Sequence, residues 1–407
     1  MTRIFAHRTL RTDMTWRAPA LGLFLATLLT LGAARAADPP ILIGAVVSES
    51  GNLADLAADL RKSLLLWQEE INGSGGLLGR QIELRLLDDR SEAAAAGDLY
   101  ERLIRDERCD LLIGPMGSAP TLGAVMAAER NRRVLVNATG AARAVQKSSA
   151  RYVFQVAAPF AAYGAGALDV ARKMGYRRLA IYARNDPGSR EMASRMQEEA
   201  AAAGLHAAEP DLYGIGTANF SAQIEKAKAI QAEAWIAFGL ARDAAEMVKS
   251  FRKHAYAPAM FAALGAADPQ FIRLLGQDAE FAFGITAWER GYGTRENQRF
   301  GELYSRKWSA EPTLLAAQGY AAAKVLENAV RRAGTLDQDR IRDALLALEL
   351  ETPLGRYKVD KSGLQLGARP ALVQIQRGRR QVVWPEDLAT AKWQLPYPRW
   401  EERKLLR

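Results

Sequence analysis

The sequence predicts an α/β protein built as two doubly wound lobes, and three observations carry that expectation. Short apolar runs alternate with stretches of helical period through most of the chain, which is the pattern of parallel strands covered by helices on both faces. The alternation comes in two successive sets, followed by a mostly helical block. The chain has 407 residues, and at roughly 150 residues per domain that leaves room for two lobes. Hydrophobic residues at 49% and charged residues at 25% are ordinary for a globular protein, which excludes collagen, low-complexity disorder and a disulfide-dense miniprotein. The single cysteine, Cys109, excludes an internal disulfide and a multi-cysteine zinc or iron–sulfur site.

The first element is an export signal. Arg3, Arg8, Arg11 and Arg17 stand against one acid, Asp13, ahead of the apolar run Ala18 to Ala33 and the small-x-small site Ala34-Arg35-Ala36. The run is shorter than the roughly 20 residues that span a bilayer, so a cleaved signal, residues 1–36, is expected rather than an anchor. Met14 offers an alternative start. Cleavage before Ala37 takes five basic residues and one acid from totals of 55 and 46, leaving 50 and 45, or +5. That charge is too mild to argue for nucleic acid. No cysteine sits at the cleavage site to carry a lipid.

Ile41 to Val47 is a continuous apolar run, hence a buried strand. A helix over about 55–72 follows and stops at Gly73-Ser74-Gly75-Gly76. Strand 81–88, helix 92–107, strand 110–114, helix 119–130 and strand 133–137 complete the first set. The second set reads strand 178–183, helix 187–203, strand 205–212, helix 219–230, strand 234–239, helix 243–254, and strands 259–262 and 281–286. Residues 294–349 are mostly helical, 354–384 returns to short strands, and 386–407 is an irregular tail with Pro396, Pro398, Trp393 and Trp400.

Open parallel sheets bind ligands at the carboxyl ends of their strands. The loops that matter are therefore Ser48 to Asn52, Gly114 to Thr121, Asn137 to Gly140, Arg184 to Ser189 and Gly239 to Asp243. In the second of these Ser118 can cap the helix that follows, and Pro120 suits a first turn. A helix start also receives anions, so Ser118, with Thr121, is either a plain cap or a ligand contact. Asn137, Thr139 and Gly140 on the neighbouring strand end are either turn formers or additional contacts. Asp88-Asp89 reads as a solvated strand end or cap, Cys109 as a buried inert thiol, and Trp67, Trp235 and Trp308 as core. Phe160, Phe238 and Trp288 are candidates to line an apolar part of a cleft. Catalytic patterns are missing: the residues after the signal hold only His206 and His254, with no H-E-x-x-H, G-x-S-x-G or G-x-x-x-x-G-K-[ST].

Several stretches carry a resemblance. They are Ile43-Gly44-Ala45 with Ser50-Gly51, Glu70-Ile71-Asn72 with Gly75-Gly76-Leu77-Leu78-Gly79-Arg80, Asp88-Asp89, Leu112-Ile113-Gly114-Pro115, Arg151-Tyr152-Val153-Phe154, Asn219-Phe220-Ser221 and Thr352-Pro353-Leu354-Gly355. Over about 41–385 the chain resembles the periplasmic solute-binding proteins of branched-chain amino acid ABC transporters, the Leu/Ile/Val-binding family. The resemblance implies two Rossmann-like lobes joined by three hinge crossovers, near Ala157-Ala158, Thr286 to Glu289 and Gly355-Arg356. The first lobe would then be 37–157 plus 288–355, and the second 158–287 plus 356–385. It implies a periplasmic monomer without catalysis or cofactor. Its partners would be a small-molecule solute and an inner-membrane permease with ATPase subunits, and not nucleic acid.

Residue by residue, the resemblance puts Ser118 on the serine that holds a ligand carboxylate. Ala141 falls on the threonine of the next loop, and a shift of one or two residues puts Thr139 there. The aromatic after the first strand falls near Leu56, the tyrosine of the N-D-x-Y-G loop on Gly188, and the acid that holds an ammonium near Gly265. Ser91 and Gly117 lie where some members bridge two cysteines. A buried ammonium without a carboxylate is costly, so an organic acid or other small polar metabolite is expected over leucine-like amino acids. Glu49, Asp243 or Asp268 could replace the missing acid, or could simply be solvated. A ligand sensor on the same fold, a conventional branched-chain amino acid binder and a secreted α/β enzyme are the competing readings.

Overall fold

The computed structural model describes residues 38–146 and 150–404, so the export-signal expectation lies outside the described residues. β1 (Ile41–Val47) is buried along nearly its whole length, because a continuous apolar run has both faces covered. α1 (Ala54–Gly73) buries Leu60, Leu64 and Trp67 on one stripe, and the chain reverses after it through Gly75 and Gly76 at positive φ. β2 (Ile82–Asp88), α2 (Ala96–Arg105), β3 (Leu111–Ile113), α3 (Ser118–Arg130) and β4 (Leu135–Asn137) continue the expected units. β5 (Val153–Gln155) adds an edge strand that is too short to show a period in the sequence. The sheet is parallel throughout, in the order β2-β1-β3-β4-β5.

The second lobe opens with α4 (Ala165–Lys173), a helix absent from the sequence expectation. β6 (Arg178–Arg184) and α5 (Pro187–Ala202) follow. The single strand expected over 205–212 is instead two, β7 (His206–Ala207) and β8 (Asp211–Tyr213). Pro210 lies in the gap and has no N–H for a ladder. Next come α6 (Ser221–Ala229), β9 (Ala234–Phe238), α7 (Ala241–Lys253), β10 (Met260–Ala263), the short unforeseen α8 (Pro269–Leu275) and β11 (Phe283–Thr286). The chain returns to the first lobe as α9 (Arg295–Trp308), α10 (Leu314–Ala333), α11 (Gln338–Leu346) and the hairpin of β12 (Leu350–Thr352) and β13 (Gly355–Tyr357). It crosses again to lay β14 (Ala371–Gln376) antiparallel beside β11 and β15 (Arg379–Trp384) antiparallel beside β14. The second sheet runs β15-β14-β11-β10-β9-β6-β7, with β8 also paired to β6.

Each sheet is covered on both faces. α1, α9, α10 and α11 pack one face of the first sheet and α2 and α3 the other. α4 and α5 cover one face of the second sheet, and α6, α7 and α8 the other. Gly319 lets α10 approach α1: a Cβ there would lie 2.3 Å from Ser63 Oγ and 2.7 Å from a methyl of Leu60. Trp67 is fully buried in that contact and its indole donates to Glu327 at 3.0 Å. Cys109 is buried, and burial pushes its thiol up to about 12.

The third crossing lies later than Gly355-Arg356. Tyr357 and Val359 still pack in the first-lobe core, whereas Ala368 packs in the second, so the hairpin continues the first lobe before the chain leaves it. The segment after β15 is bound to the second lobe. Tyr397 is buried and its N–H donates to Ala259 O at 2.8 Å, and the Trp400 indole donates to Tyr256 O at 2.8 Å. The Arg403 guanidinium lies 4.1 Å from the Tyr397 ring and 4.2 Å from the Trp400 ring. Among the described residues no helix is long and apolar enough to cross a membrane.

Candidate functional site

The carboxyl ends of both sheets carry the loops that the sequence singles out. After β1, the Ser48–Leu53 loop is shaped by Asp88 and Asp89 at the end of β2. Ser48 Oγ donates to Asp89 Oδ1 at 2.6 Å. Asp88 accepts from Ser50 Oγ at 2.6 Å and from the N–H groups of Glu49, Ser50 and Arg90 at 2.9, 3.2 and 2.8 Å. The Ser50 hydroxyl, together with those amides, holds the Asp88 carboxyl below its usual range. The carboxylate pair is thus a loop organiser, not a free strand end. Glu49 is exposed and pairs with Arg61 at 2.7 Å.

After β3 the chain turns through Gly117, at φ 88°, into α3. The expectation that Ser118 caps this helix is corrected: Gly117 holds the capping position and no side chain caps it. Ser118 is the first helical residue, half-buried, and its hydroxyl accepts the Ala142 N–H at 3.1 Å from the loop after β4. Thr139 Oγ1 accepts the Gly117 N–H at 2.7 Å and donates to Pro115 O at 2.8 Å. Thr121 Oγ1 donates to Gly117 O at 2.6 Å. Asn137 closes the next turn on Gly140, accepting its N–H and donating to its carbonyl, both at 2.8 Å. A Cβ on Gly140 would lie 2.9 Å from Thr121 Oγ1. Thr121 and Thr139, both bonded to Gly117, and the Asn137–Gly140 turn packed against them are buried; the Thr139 bonds and the partly exposed Ser118, through Ala142, hold the two adjacent loops together.

In the second lobe Asp186 caps α5 by accepting Ser189 N–H at 3.0 Å and Ser189 Oγ at 2.8 Å. Asp243 accepts the Leu240 N–H at 2.9 Å and Asp268 accepts the Gln270 N–H at 2.7 Å. Arg184, at the end of β6, lies 3.6 Å from Asp186 and 4.0 Å from Asp243. Position 265 has no room for a side chain: a Cβ there would lie 2.2 Å from Leu240 O. At Gly188 the space is ordinary, with the half-buried Phe160 ring 3.6 Å away.

Two expected lining residues sit in the core. Phe238 is 0% exposed within the second-lobe core, and its carbonyl accepts from Tyr213 Oη at 3.3 Å. Trp288 is buried against the first-lobe core, with its indole donating to Asn297 Oδ1 at 2.8 Å. Apolar strand ends and the first residues after them face inward, where helices cover the sheet. What is exposed instead is Leu53, Leu56 and Leu240. Of these, Leu240 escaped the sequence reading except as a member of its loop, as did Arg184, which lies near Asp243 of that loop; a leucine in an N-cap position is the one local signal for Leu240.

The loops of the two sheets meet. The Arg143 N–H, after β4, donates to Glu191 Oε1 in the first turns of α5 at 2.7 Å, and the Phe160 N–H donates to Ala141 O at 3.1 Å. Arg380 on β15 donates to Ala267 O at 2.7 Å and pairs with Glu289, at the second crossing, at 3.1 Å. Burial pushes the Glu289 carboxyl above its ordinary range despite Arg380. Among the described residues no cluster of three or more His, Cys, Asp or Glu is placed to hold a metal. Polar groups of both lobes thus lie at the carboxyl edges of the sheets, the Ser118 hydroxyl at a helix start among them.

Comparison with known proteins agrees with this fold. A family model described as periplasmic binding protein matches residues 40–380. The chain is 23% identical over 399 residues to the Leu/Ile/Val-binding protein homolog 7 of Brucella suis, covering 92% of this chain and 98% of that one. Among solved structures it is similar to the branched-chain amino acid transporter substrate-binding protein LivJ of Streptococcus pneumoniae in complex with isoleucine. That match has a TM-score of 0.70 and 21% identity, over 84% of this chain and 99% of the other. A solute-binding protein of an R. palustris ABC transporter in complex with benzoate matches with TM-score 0.70 and 19% identity, over 88% and 97%.

Proposed function

Because the chain belongs to the periplasmic binding protein family, we propose that it is the substrate-binding component of an ABC importer. It captures a small organic acid or other polar metabolite between its lobes and delivers it to an inner-membrane permease powered by ATPase subunits. It works in the periplasm as a monomer, after removal of residues 1–36, and without catalysis or cofactor. The observation that supports this most directly is the meeting of carboxyl-edge loops from both sheets, bridged by Arg143 and Glu191, with Ser118 half-buried at the start of α3. Ligands of open α/β sheets bind at that edge, and a helix start with a hydroxyl suits an anionic group. The proposed direct contacts are Ser118 and, by opening of its present bonds, Thr139. Phe160 is the proposed aromatic wall.

The names of the relatives favour a second reading, capture of branched-chain amino acids. The closed position at Gly265 speaks against it, and the benzoate-bound neighbour has a ligand without an ammonium group. A thermal-shift screen of organic acids, amino acids, dicarboxylates and amides, followed by uptake of the best hit in cells with and without the gene, tests the proposal. A ligand at 100 times its dissociation constant adds about 2.7 kcal/mol of stability. A hit whose uptake is unchanged in the deleted strain would reduce the protein to a sensor. No hit in any class, with normal uptake, would sink the importer reading.

A further inference from the structure

On the reading that the cleft receives an anionic solute, we propose that the solute is a carboxylic acid with an uncharged, apolar body, and that the cleft discriminates against the α-amino acid of the same skeleton. The first ground is the fate of the acids at the two carboxyl edges. Asp186 and Asp268 cap helices, and Asp243 holds the Leu240 N–H. Glu191 accepts the Arg143 N–H, Glu49 pairs with Arg61, and Glu289 pairs with Arg380. An ammonium group entering here would draw a carboxylate away from a cap, a loop or a cation that already holds it.

The second ground is charge. The Arg184 guanidinium stands at the end of β6, between Asp186 at 3.6 Å and Asp243 at 4.0 Å. It already pairs with both carboxylates, so neither Asp186 nor Asp243 stands as a free counter-ion for an ammonium group, whereas a neutral body needs none. The third ground is sterics. A side chain at position 265 would collide with the Leu240 carbonyl at 2.2 Å, so no acid can be supplied from there without moving α7.

The fourth ground is apolar surface. Leu53 and Leu56 after β1 are 37% and 57% exposed, and Leu240 after β9 is 58% exposed. Leucines left exposed at the carboxyl edges of both lobes favour closure on an apolar body, which removes apolar surface on both sides of the contact, over closure on a polar one. The Asp243–Leu240 hydrogen bond makes Asp243 the positioning residue for that wall.

Matched pairs isolate the ammonium. Calorimetric titration of the purified protein compares 4-methylpentanoate with leucine, and 3-phenylpropanoate with phenylalanine. In at least one pair the acid binds tenfold or more tighter than its amino acid. Leu240→Glu lowers the affinity for that acid at least tenfold and narrows the preference, at unchanged melting temperature. Leu56→Glu, on the other lobe, is the check if Leu240→Glu does not fold. An amino acid that binds as tightly as its acid, or tighter, overturns the proposal. So does unchanged acid affinity in both folded variants. If neither acid binds while a sugar, dicarboxylate or amide shifts the melting temperature and is imported, the ligand class is wrong and the importer reading stands.

Discussion

The carbonyl oxygen of Leu240 occupies the space that a side chain at Gly265 would need, 2.2 Å from the position of its Cβ. Both residues follow strands of the second sheet, and Leu240 is held there by Asp243 at 2.9 Å. Gly265→Ala is therefore expected to destabilise the protein by about 1–3 kcal/mol, the usual cost of an atom forced into a packed site. Denaturant unfolding measures it. Gly265→Asp should lose at least as much and gain no affinity for leucine. Wild-type stability in Gly265→Ala would mean that the Leu240 backbone moves aside freely.

Ser118→Ala should weaken binding of the cognate solute ten- to a hundredfold, the loss of about 1.5–3 kcal/mol from a hydrogen bond to a charged group. Because Ser118 does not cap α3, the stability change should be that of one lost hydrogen bond, about 1 kcal/mol, to the Ala142 N–H. Titration and melting, measured separately, distinguish the two effects. Unchanged affinity in the folded variant removes Ser118 from the site.

Acid should loosen the α1–α10 contact. Burial works against ionisation of Glu327, but hydrogen bonds and charge from Lys324, with Trp67 and Arg331, hold its carboxyl below its ordinary 4.5. A carboxyl depressed on folding adds stability that is present above the unfolded value and lost as pH falls through the lower folded value. Stability should therefore fall below about pH 4.5, and Glu327→Gln should flatten that limb while costing about 1–3 kcal/mol at neutral pH. An acid limb identical to wild type in the variant would assign acid sensitivity elsewhere.

Removing residues 391–407 should destabilise the second lobe. Tyr397 is 2% exposed, and losing a buried side chain of that kind costs about 1.5–3 kcal/mol, before the Arg403 contacts with Tyr397 and Trp400. Calorimetry of the truncated chain should show a lower melting temperature. An unshifted transition would return the tail to the role of a surface appendage.

The lobes are expected to close by hinge motion at the three crossings. Small-angle scattering should show compaction when the confirmed solute is added. Glu191→Ala, which removes the acceptor of the Arg143 N–H, should change the size difference between free and bound protein while leaving each lobe folded. Scattering profiles that superpose with and without solute would rule closure out.

Composition, periodicity and glycine placement were enough to read two sets of strand–helix units, the loops at their carboxyl ends and the helical block between the last crossings. Those features are legible because they rest on neighbours in sequence: an apolar run buries, a period of 3.6 makes a face, and a glycine pair stops a helix. Elements too short to repeat, such as β5 and α8, left no such mark, and neither did the break at Pro210, which takes effect only where β7 and β8 pair with β6. Tertiary structure alone decided how the polar side chains were allocated. Thr139 bridges Pro115 to Gly117, Asp88 holds a loop from another strand, and Gly265 yields its space to Leu240. Each of these joins residues distant in the chain, and a hydrogen bond or a steric collision depends on where the partner atom lies, which no local pattern of residue types records.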